Sequence, residues 1–229
     1  MYGPVKNFFE NQGHIVKAEV RSCDMVLVKG DEIAVVELKK SFNMTLIYQI
    51  LERKKIANLV YIAIPRSVFT KNRHHILYIL ERLEIGLICV AMDSPVKTVE
   101  VLLLAKAQKS RSNRNSRALL AEFNGRTFDG NIGGSSGKKI ITAHRERVLK
   151  IACALEKTGH ARVSVLIKKY GCHKYTGQDL RRDVYGWFTK ISKGIYALSE
   201  KGQLALKEPA FNQIVEYYRA NIESEEIDV

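Results

Sequence analysis

Cys23-Asp24-Met25-Val26-Leu27-Val28-Lys29-Gly30-Asp31-Glu32-Ile33-Ala34-Val35-Val36-Glu37-Leu38-Lys39 is the stretch that decides the fold. Two apolar runs, 25–28 and 33–36, flank a polar break at Lys29-Gly30-Asp31-Glu32. Glycine first in a two-residue loop suits a type II′ turn, so Gly30-Asp31 predicts a tight β-hairpin. That turn sets Val28 opposite Ile33, Val26 opposite Val35 and Asp24 opposite Glu37. Side chains alternate along a strand, so Asp24, Glu37 and Lys39 project from one face. Two carboxylates directly opposite each other repel. A cation between them relieves that repulsion, and oxygen ligands completed by water suit Mg²⁺ or Mn²⁺. Lys39 lies one step further along, within reach of a water or phosphate near such an ion.

Outward from this hairpin the N-terminal half reads as α/β. The pattern predicts helices over 4–11, 43–58 and 71–83. It predicts strands over 14–20, 23–28, 33–39, 59–64 and 85–92, with an edge strand over 99–105. Residues 33–36 are all apolar, the mark of a buried central strand. Glu37 and Lys39 then stand at its C-terminal end, where open α/β sheets place their sites.

Composition bounds the rest. The chain has 229 residues, 46% hydrophobic and 27% charged, which excludes wholesale disorder. At about 100–200 residues per domain, this is one large or two small domains. No apolar run reaches the roughly 18 residues of a spanning helix, so no membrane role is expected. The first residues lack the pattern of a secretory signal. Cys23, Cys89, Cys153 and Cys172 are widely spaced. They form neither a disulfide framework nor a zinc knuckle, and reduced thiols in a cytoplasmic protein are expected. The histidines show no ligand spacing.

Net charge is +13, which points to a polyanionic partner. The surplus is uneven. Residues 138–209 carry 16 basic and 6 acidic side chains, whereas 1–105 carry 14 and 11. Between them, 109–117 is polar and basic, and 130–137 is rich in glycine and serine. The expected division is therefore a nuclease-like domain over 1–107, a basic linker over 108–137, a DNA-binding domain over 138–209, and a C-terminal helix with an acidic tail over 210–229. The linker holds a short helical stretch at 118–123, and its basic part reads either as a plain tether or as a strap that also touches phosphate.

Residues 138–209 read as a winged helix-turn-helix. Helices are predicted over 143–157, 163–170 and from Thr176 to about 187, then a hairpin over 188–198. Thr176 is the expected N-cap of the third helix, with Asp179 completing a capping box. Leu180, Val184 and Trp187 fall at core spacing. Gln178, Arg181 and Arg182 fall on or near the face that would enter a major groove. Lys174, Lys190 and Lys193 are expected on the phosphate backbone. The charge supports DNA as the partner.

The hairpin with its flanking helices resembles the PD-(D/E)XK nuclease superfamily, with Asp24 as the first acid and Glu37-Leu38-Lys39 as the second half-motif. The proline that often precedes the first acid is absent. More narrowly, the chain resembles a bacterial family of PD-(D/E)XK-type phosphodiesterases. The matching stretches are 4–24, 36–49, 133–147 and 184–196, spread over nearly the whole chain. The resemblance implies a mixed sheet flanked by helices and a Mg²⁺- or Mn²⁺-dependent hydrolase. Asp24, Glu37 and the Leu38 carbonyl would bind the metal, and Lys39 would act on the attacking water. The superfamily often adds an acid from the first helix; Glu10 and Glu19 are the candidates here. Gln49 matches a polar position on the helix after the lysine.

The expected function is hydrolysis of DNA, with a homodimer left open as the route to cutting both strands. The alternative is a DNA-binding regulator or accessory factor whose nuclease-like domain is inactive. Charge alone does not distinguish DNA from RNA.

Overall fold

The computed structural model describes residues 1–107, 114–134 and 139–224, with side chains to 222. The chain divides into two compact units, Met1–Ile140 and Ile141–Val229. Among the described residues, no helix is long and apolar enough to cross a membrane. All four cysteines are buried and free.

The first unit is built on a six-stranded mixed sheet in sequential order: β1 (Ile15–Val20), β2 (Cys23–Lys29), β3 (Glu32–Leu38), β4 (Leu59–Pro65), β5 (Gly86–Val90) and β6 (Val99–Leu103). The β1–β2, β2–β3 and β5–β6 pairs are antiparallel; β3–β4 and β4–β5 are parallel. The central hairpin closes in the register its turn demands. Lys29 pairs with Glu32, Val28 with Ile33, Val26 with Val35 and Met25 with Val36. Gly30 has φ +58° while Asp31 stays out of the left-handed region, as a type II′ turn requires.

Parallel strands need crossovers, and helices supply them. α1 (Tyr2–Glu10) precedes β1; α2 (Met44–Arg53) joins β3 to β4; α3 (Arg66–Lys71) and α4 (Arg73–Leu83) join β4 to β5. Asn43 caps α2, its side-chain oxygen accepting from Leu46 N–H at 3.0 Å. The expectation of a helix to 58 overshoots. Asn58 is drawn back to the sheet, where its N–H donates to Ile33 O at 2.9 Å and its Oδ1 accepts from Ile33 N–H at 3.1 Å. α3 falls where the pattern predicts no helix, and it buries no side chain.

The sheet separates two cores. One joins Val26, Val35, Val60 and Ile62 to Leu46 and Ile50 of α2 and to Ile76 and Leu80 of α4. The other joins Met25, Leu27, Val36 and Ala63 to Val5 and Phe9 of α1. The segment expected to be a tether departs from that expectation. α5 (Arg114–Asn124) buries Leu119 and Phe123 in the first core. Its end is pinned to β1, where Lys17 Nζ donates to Phe123 O at 2.7 Å and Arg126 O at 2.5 Å. Composition masks this, because α5 is polar on its outer face and only a narrow stripe packs. The basic stretch 108–113 and residues 135–138 lie outside the described residues.

The second unit opens with α6 (Ala143–Thr158), followed by β7 (His160–Arg162), α7 (Val163–Lys168), α8 (Thr176–Arg182), β8 (Phe188–Ser192), β9 (Ile195–Leu198), α9 (Glu200–Ala205) and α10 (Asn212–Ser224). Thr142 caps α6 through Arg145 N–H, and Gly159 at φ +70° ends it. The strands form an antiparallel sheet in the order β7-β9-β8; β7 is too short to show as a pattern in the sequence. α10 packs on α6 through Ile214, Val215, Tyr218 and Ile222, and Tyr218 donates its hydroxyl to buried Glu146 at 2.7 Å. It therefore belongs to this unit. The expected acidic tail, 223–228, lies outside the described side chains.

Two details of α8 differ from the sequence expectation. Thr176 is its first residue and not its cap; the Thr176 hydroxyl donates to His173 O at 2.5 Å. Asp183, left-handed at φ +36°, ends the helix early and accepts from Trp187 N–H at 2.8 Å and Phe188 N–H at 3.2 Å. Val184, expected in the core, is thereby left exposed, while Leu180 and Trp187 are buried.

Candidate active site

Asp24, Glu37 and Lys39 meet where the start of β2 lies beside the end of β3. Lys39 Nζ stands 3.5 Å from Asp24 Oδ2 and 3.7 Å from Glu37 Oε2. Strand alternation aims these three side chains at the face covered by α2. Asp24 is locked in place, since its Oδ2 also accepts from Leu38 N–H at 2.8 Å. Glu37 is only 1% exposed and Asp24 8%. Burial, then the negative charge of Asp24, push the Glu37 carboxyl above its ordinary pKa; Arg53 opposes the shift.

Arg53, at the end of α2, is not singled out by sequence. Its Nε donates to Glu37 Oε1 at 2.6 Å and its Nη2 to Ser22 O at 2.6 Å. The only hint is position, because Arg53 follows Gln49 by one helical turn and shares its stripe. Gln49 Oε1 is buried on that stripe without a hydrogen-bond partner among the described residues. Cys23 beside the site is inert, its thiol pushed up to about 12 chiefly by burial.

The turn between β1 and β2 carries backbone strain. Val20 pairs with Cys23 across Arg21-Ser22. Arg21 and Ser22 are both left-handed, as is Glu19 before them, at φ +48°, +66° and +54°. Type I′ turns usually use Asn or Gly here, and such residues cost on the order of 1–3 kcal/mol each unless surroundings hold them. The holders are identifiable. Arg53 grips Ser22 O. Arg126, itself buried, donates to Ala18 O at 2.9 Å and Glu19 O at 2.7 Å. Glu122 balances its charge at 3.0 Å.

Glu19 points back to the glycine-rich segment. Its Oε1 accepts from Gly134 N–H at 2.9 Å. Gly133 lies so close to Asp24 that an added Cβ would strike the Asp24 carbonyl oxygen. A Cβ on Gly134, at φ +71°, would sit 3.5 Å from Leu38 Cβ. These glycines are thus packed beside the acids, a role that composition alone does not reveal. Glu10 is not brought to this cluster. It is exposed at the end of α1, on the helix covering the opposite sheet face, and pairs with Lys6 at 3.7 Å.

The donor set fits a hard divalent cation held mostly by water. Asp24 Oδ1 accepts no hydrogen bond among the described residues, and Glu37 Oε2 faces only Lys39 at 3.7 Å. No group of three or more His, Cys, Asp or Glu converges among the described residues. Protein ligands would therefore be Asp24, Glu37 and the Leu38 carbonyl, and Mg²⁺ in particular keeps several waters.

In the second unit, Lys174, Gln178, Arg181, Arg182, Lys190 and Lys193 all lie exposed on the surface. α8 is held from behind by buried Asp179. Its carboxylate accepts from Arg147 Nε at 3.1 Å and Nη2 at 3.3 Å, and lies 3.5 Å from His144 Nε2.

Residues 88–205 match the model of a family described as "Putative PD-(D/E)XK phosphodiesterase (DUF2161)". The matched segment is more than half of the chain. The chain belongs to this family. No curated protein and no solved structure matches it. Within the family, the match runs from β5 through α9. It takes in the stretches 133–147 and 184–196 but not 4–24 and 36–49, so the resemblance is narrower than the sequence suggests. The acidic hairpin lies upstream of it. PD-(D/E)XK nucleases typically use divalent metals, which agrees with the donor set, and the six-stranded mixed sheet flanked by helices is compatible with their fold.

Proposed function

We propose that the protein is a Mg²⁺- or Mn²⁺-dependent phosphodiesterase that hydrolyses DNA, with the second unit serving as a winged-helix DNA-binding domain. One observation carries the hydrolase reading: Lys39 Nζ is poised between two converging carboxylates at 3.5 and 3.7 Å. Asp24 and Glu37 would hold the metal together with the Leu38 carbonyl. A bound cation would lower the pKa of a coordinated water and offset charge on the scissile phosphate. Lys39, the most exposed of the three, orients the attacking water and stabilises charge developing on the phosphate oxygens. Arg53 keeps Glu37 in place from behind.

The winged-helix reading is supported by element order, helix-strand-helix-helix-hairpin, and by the β7-β9-β8 sheet. Gln178, Arg181 and Arg182, all exposed on α8, would meet a groove, and Lys193 lies at the hairpin tip.

A second reading has its own observation. Lys39 and Arg53 already offset the two carboxylates, as a purely structural ion-pair network would. The protein would then be a DNA-binding accessory factor.

Cleavage of single-stranded, duplex and branched DNA with Mg²⁺, Mn²⁺ or Ca²⁺ separates the readings. Turnover is expected with the first two and not with Ca²⁺, whose looser geometry suits catalysis poorly. Glu37→Ala should abolish it. Lys39→Ala should spare Mn²⁺ binding yet lower kcat by about 10²–10³-fold, the scale of losing one charge-stabilising donor. DNA binding without cleavage of any form would favour the accessory reading.

A further inference from the structure

We propose that Arg53 is a positioning residue that fixes both acids of the site, Glu37 directly and Asp24 through the β1–β2 turn. The inference rests on the metal-dependent reading above and deepens it. Arg53 stands at the last turn of α2, and its two donors reach one strand and one turn. Nε holds Glu37 Oε1 on β3, and Nη2 holds Ser22 O at the turn. Both bonds are 2.6 Å, and the Arg53 side chain is mostly buried.

The consequence for Glu37 is orientation. With Oε1 committed to Arg53, Oε2 is the oxygen turned toward Lys39, which in turn lies beside Asp24. A carboxylate free to rotate would present either oxygen, or swing away from its like-charged neighbour. The guanidinium also keeps a cation beside a carboxylate that burial and Asp24 both disfavour as an anion.

The consequence for Asp24 follows from chain geometry. Ser22 is two residues before Asp24 and left-handed at φ +66°. Its carbonyl direction therefore sets how the chain enters β2. Arg126 holds the other side of the same turn through Ala18 O and Glu19 O. One guanidinium comes from α2 and the other from the chain just past α5, and they share no acceptor. Of the two, Arg53 also touches an acid of the site, so it couples turn and acid. Lysine could reach one of these acceptors but cannot fork to both.

The test is Mn²⁺ titration calorimetry on the full chain, beside cleavage kinetics and a thermal melt. Partners that orient metal ligands cost about 10–100-fold in metal affinity when removed. Arg53→Met is expected to weaken Mn²⁺ by that factor and to lower kcat, with KM for DNA unchanged. Arg53→Lys should recover part of the affinity. In a Glu37→Gln background, Arg53→Met should add little, because its main route is through Glu37. A folded Arg53→Met protein that binds Mn²⁺ as tightly as wild type overturns the proposal. If Arg53→Met does not fold, Arg53→Lys decides: wild-type affinity and kcat in that variant would overturn it equally. Wild-type protein that binds no Mn²⁺ would instead remove the metal-dependent reading, and this inference with it.

Discussion

Glu37 concentrates the energetics of the site. It is a buried anion beside another anion, offset by Arg53 and Lys39, and its carboxyl is raised above the ordinary value mainly by burial. The folded protein therefore holds a proton there more readily than the unfolded chain. The associated stability is fully present below the ordinary carboxylate range and is lost as pH rises through the raised value. Metal-free wild type should lose melting temperature across that window relative to Glu37→Gln. Mn²⁺ affinity should run the other way, falling as pH drops through the same value, because the cation needs the ionised form. Parallel stability profiles for wild type and Glu37→Gln would count against this account.

Among the elements, the strained β1–β2 turn and the segment around α5 depend on each other. Arg126 leaves the end of α5 to satisfy two carbonyls of β1, and Lys17 of β1 returns two bonds to Phe123 and Arg126. Removing the guanidinium strands buried carbonyls and takes from Glu122 the cation beside it. Arg126→Met is expected to cost about 3–5 kcal/mol, the scale of breaking a buried charged pair. Chemical denaturation measures it. A loss below about 1 kcal/mol, typical of an exposed pair, would mean that the segment is a tether after all. The same mutual support explains why a glycine-rich stretch packs against Asp24 and Leu38 at all.

Over the whole molecule, charge is unevenly divided. Residues 138–209 hold most of the positive surplus, while the acids of the candidate site lie in the first unit. If the second unit binds DNA as proposed, this chain should bind duplex DNA with an affinity that falls steeply with salt, as counterions leave the phosphates. Arg181→Ala and Arg182→Ala should each weaken it, and each should reduce the log–log salt slope by about 1 if its side chain neutralises one phosphate. Glu37→Ala should leave that affinity largely unchanged. Binding indifferent to salt would point to protein association as the role of the second unit.

The hairpin and its acids are legible in the sequence because they follow from local rules. Gly30-Asp31 imposes one register, period-two alternation imposes one face, and the apolar run 33–36 imposes burial. Capping of α6 by Thr142 and its end at Gly159 are equally local. What surrounds the acids is not local. Arg53 stands 16 residues from Glu37, and Arg126 and Gly134 are more than 100 residues from β1. Their partners are chosen by how α2 and α5 pack on the sheet. The return of Asn58 to β3 has the same origin, since its bonds go to Ile33, 25 residues earlier; the early end of α8 is local, the Asp183 carboxylate accepting from Trp187 and Phe188 N–H. Local geometry determined which residues form the candidate site; tertiary packing decided what holds them, because a buried charge takes whatever partner the fold brings within reach.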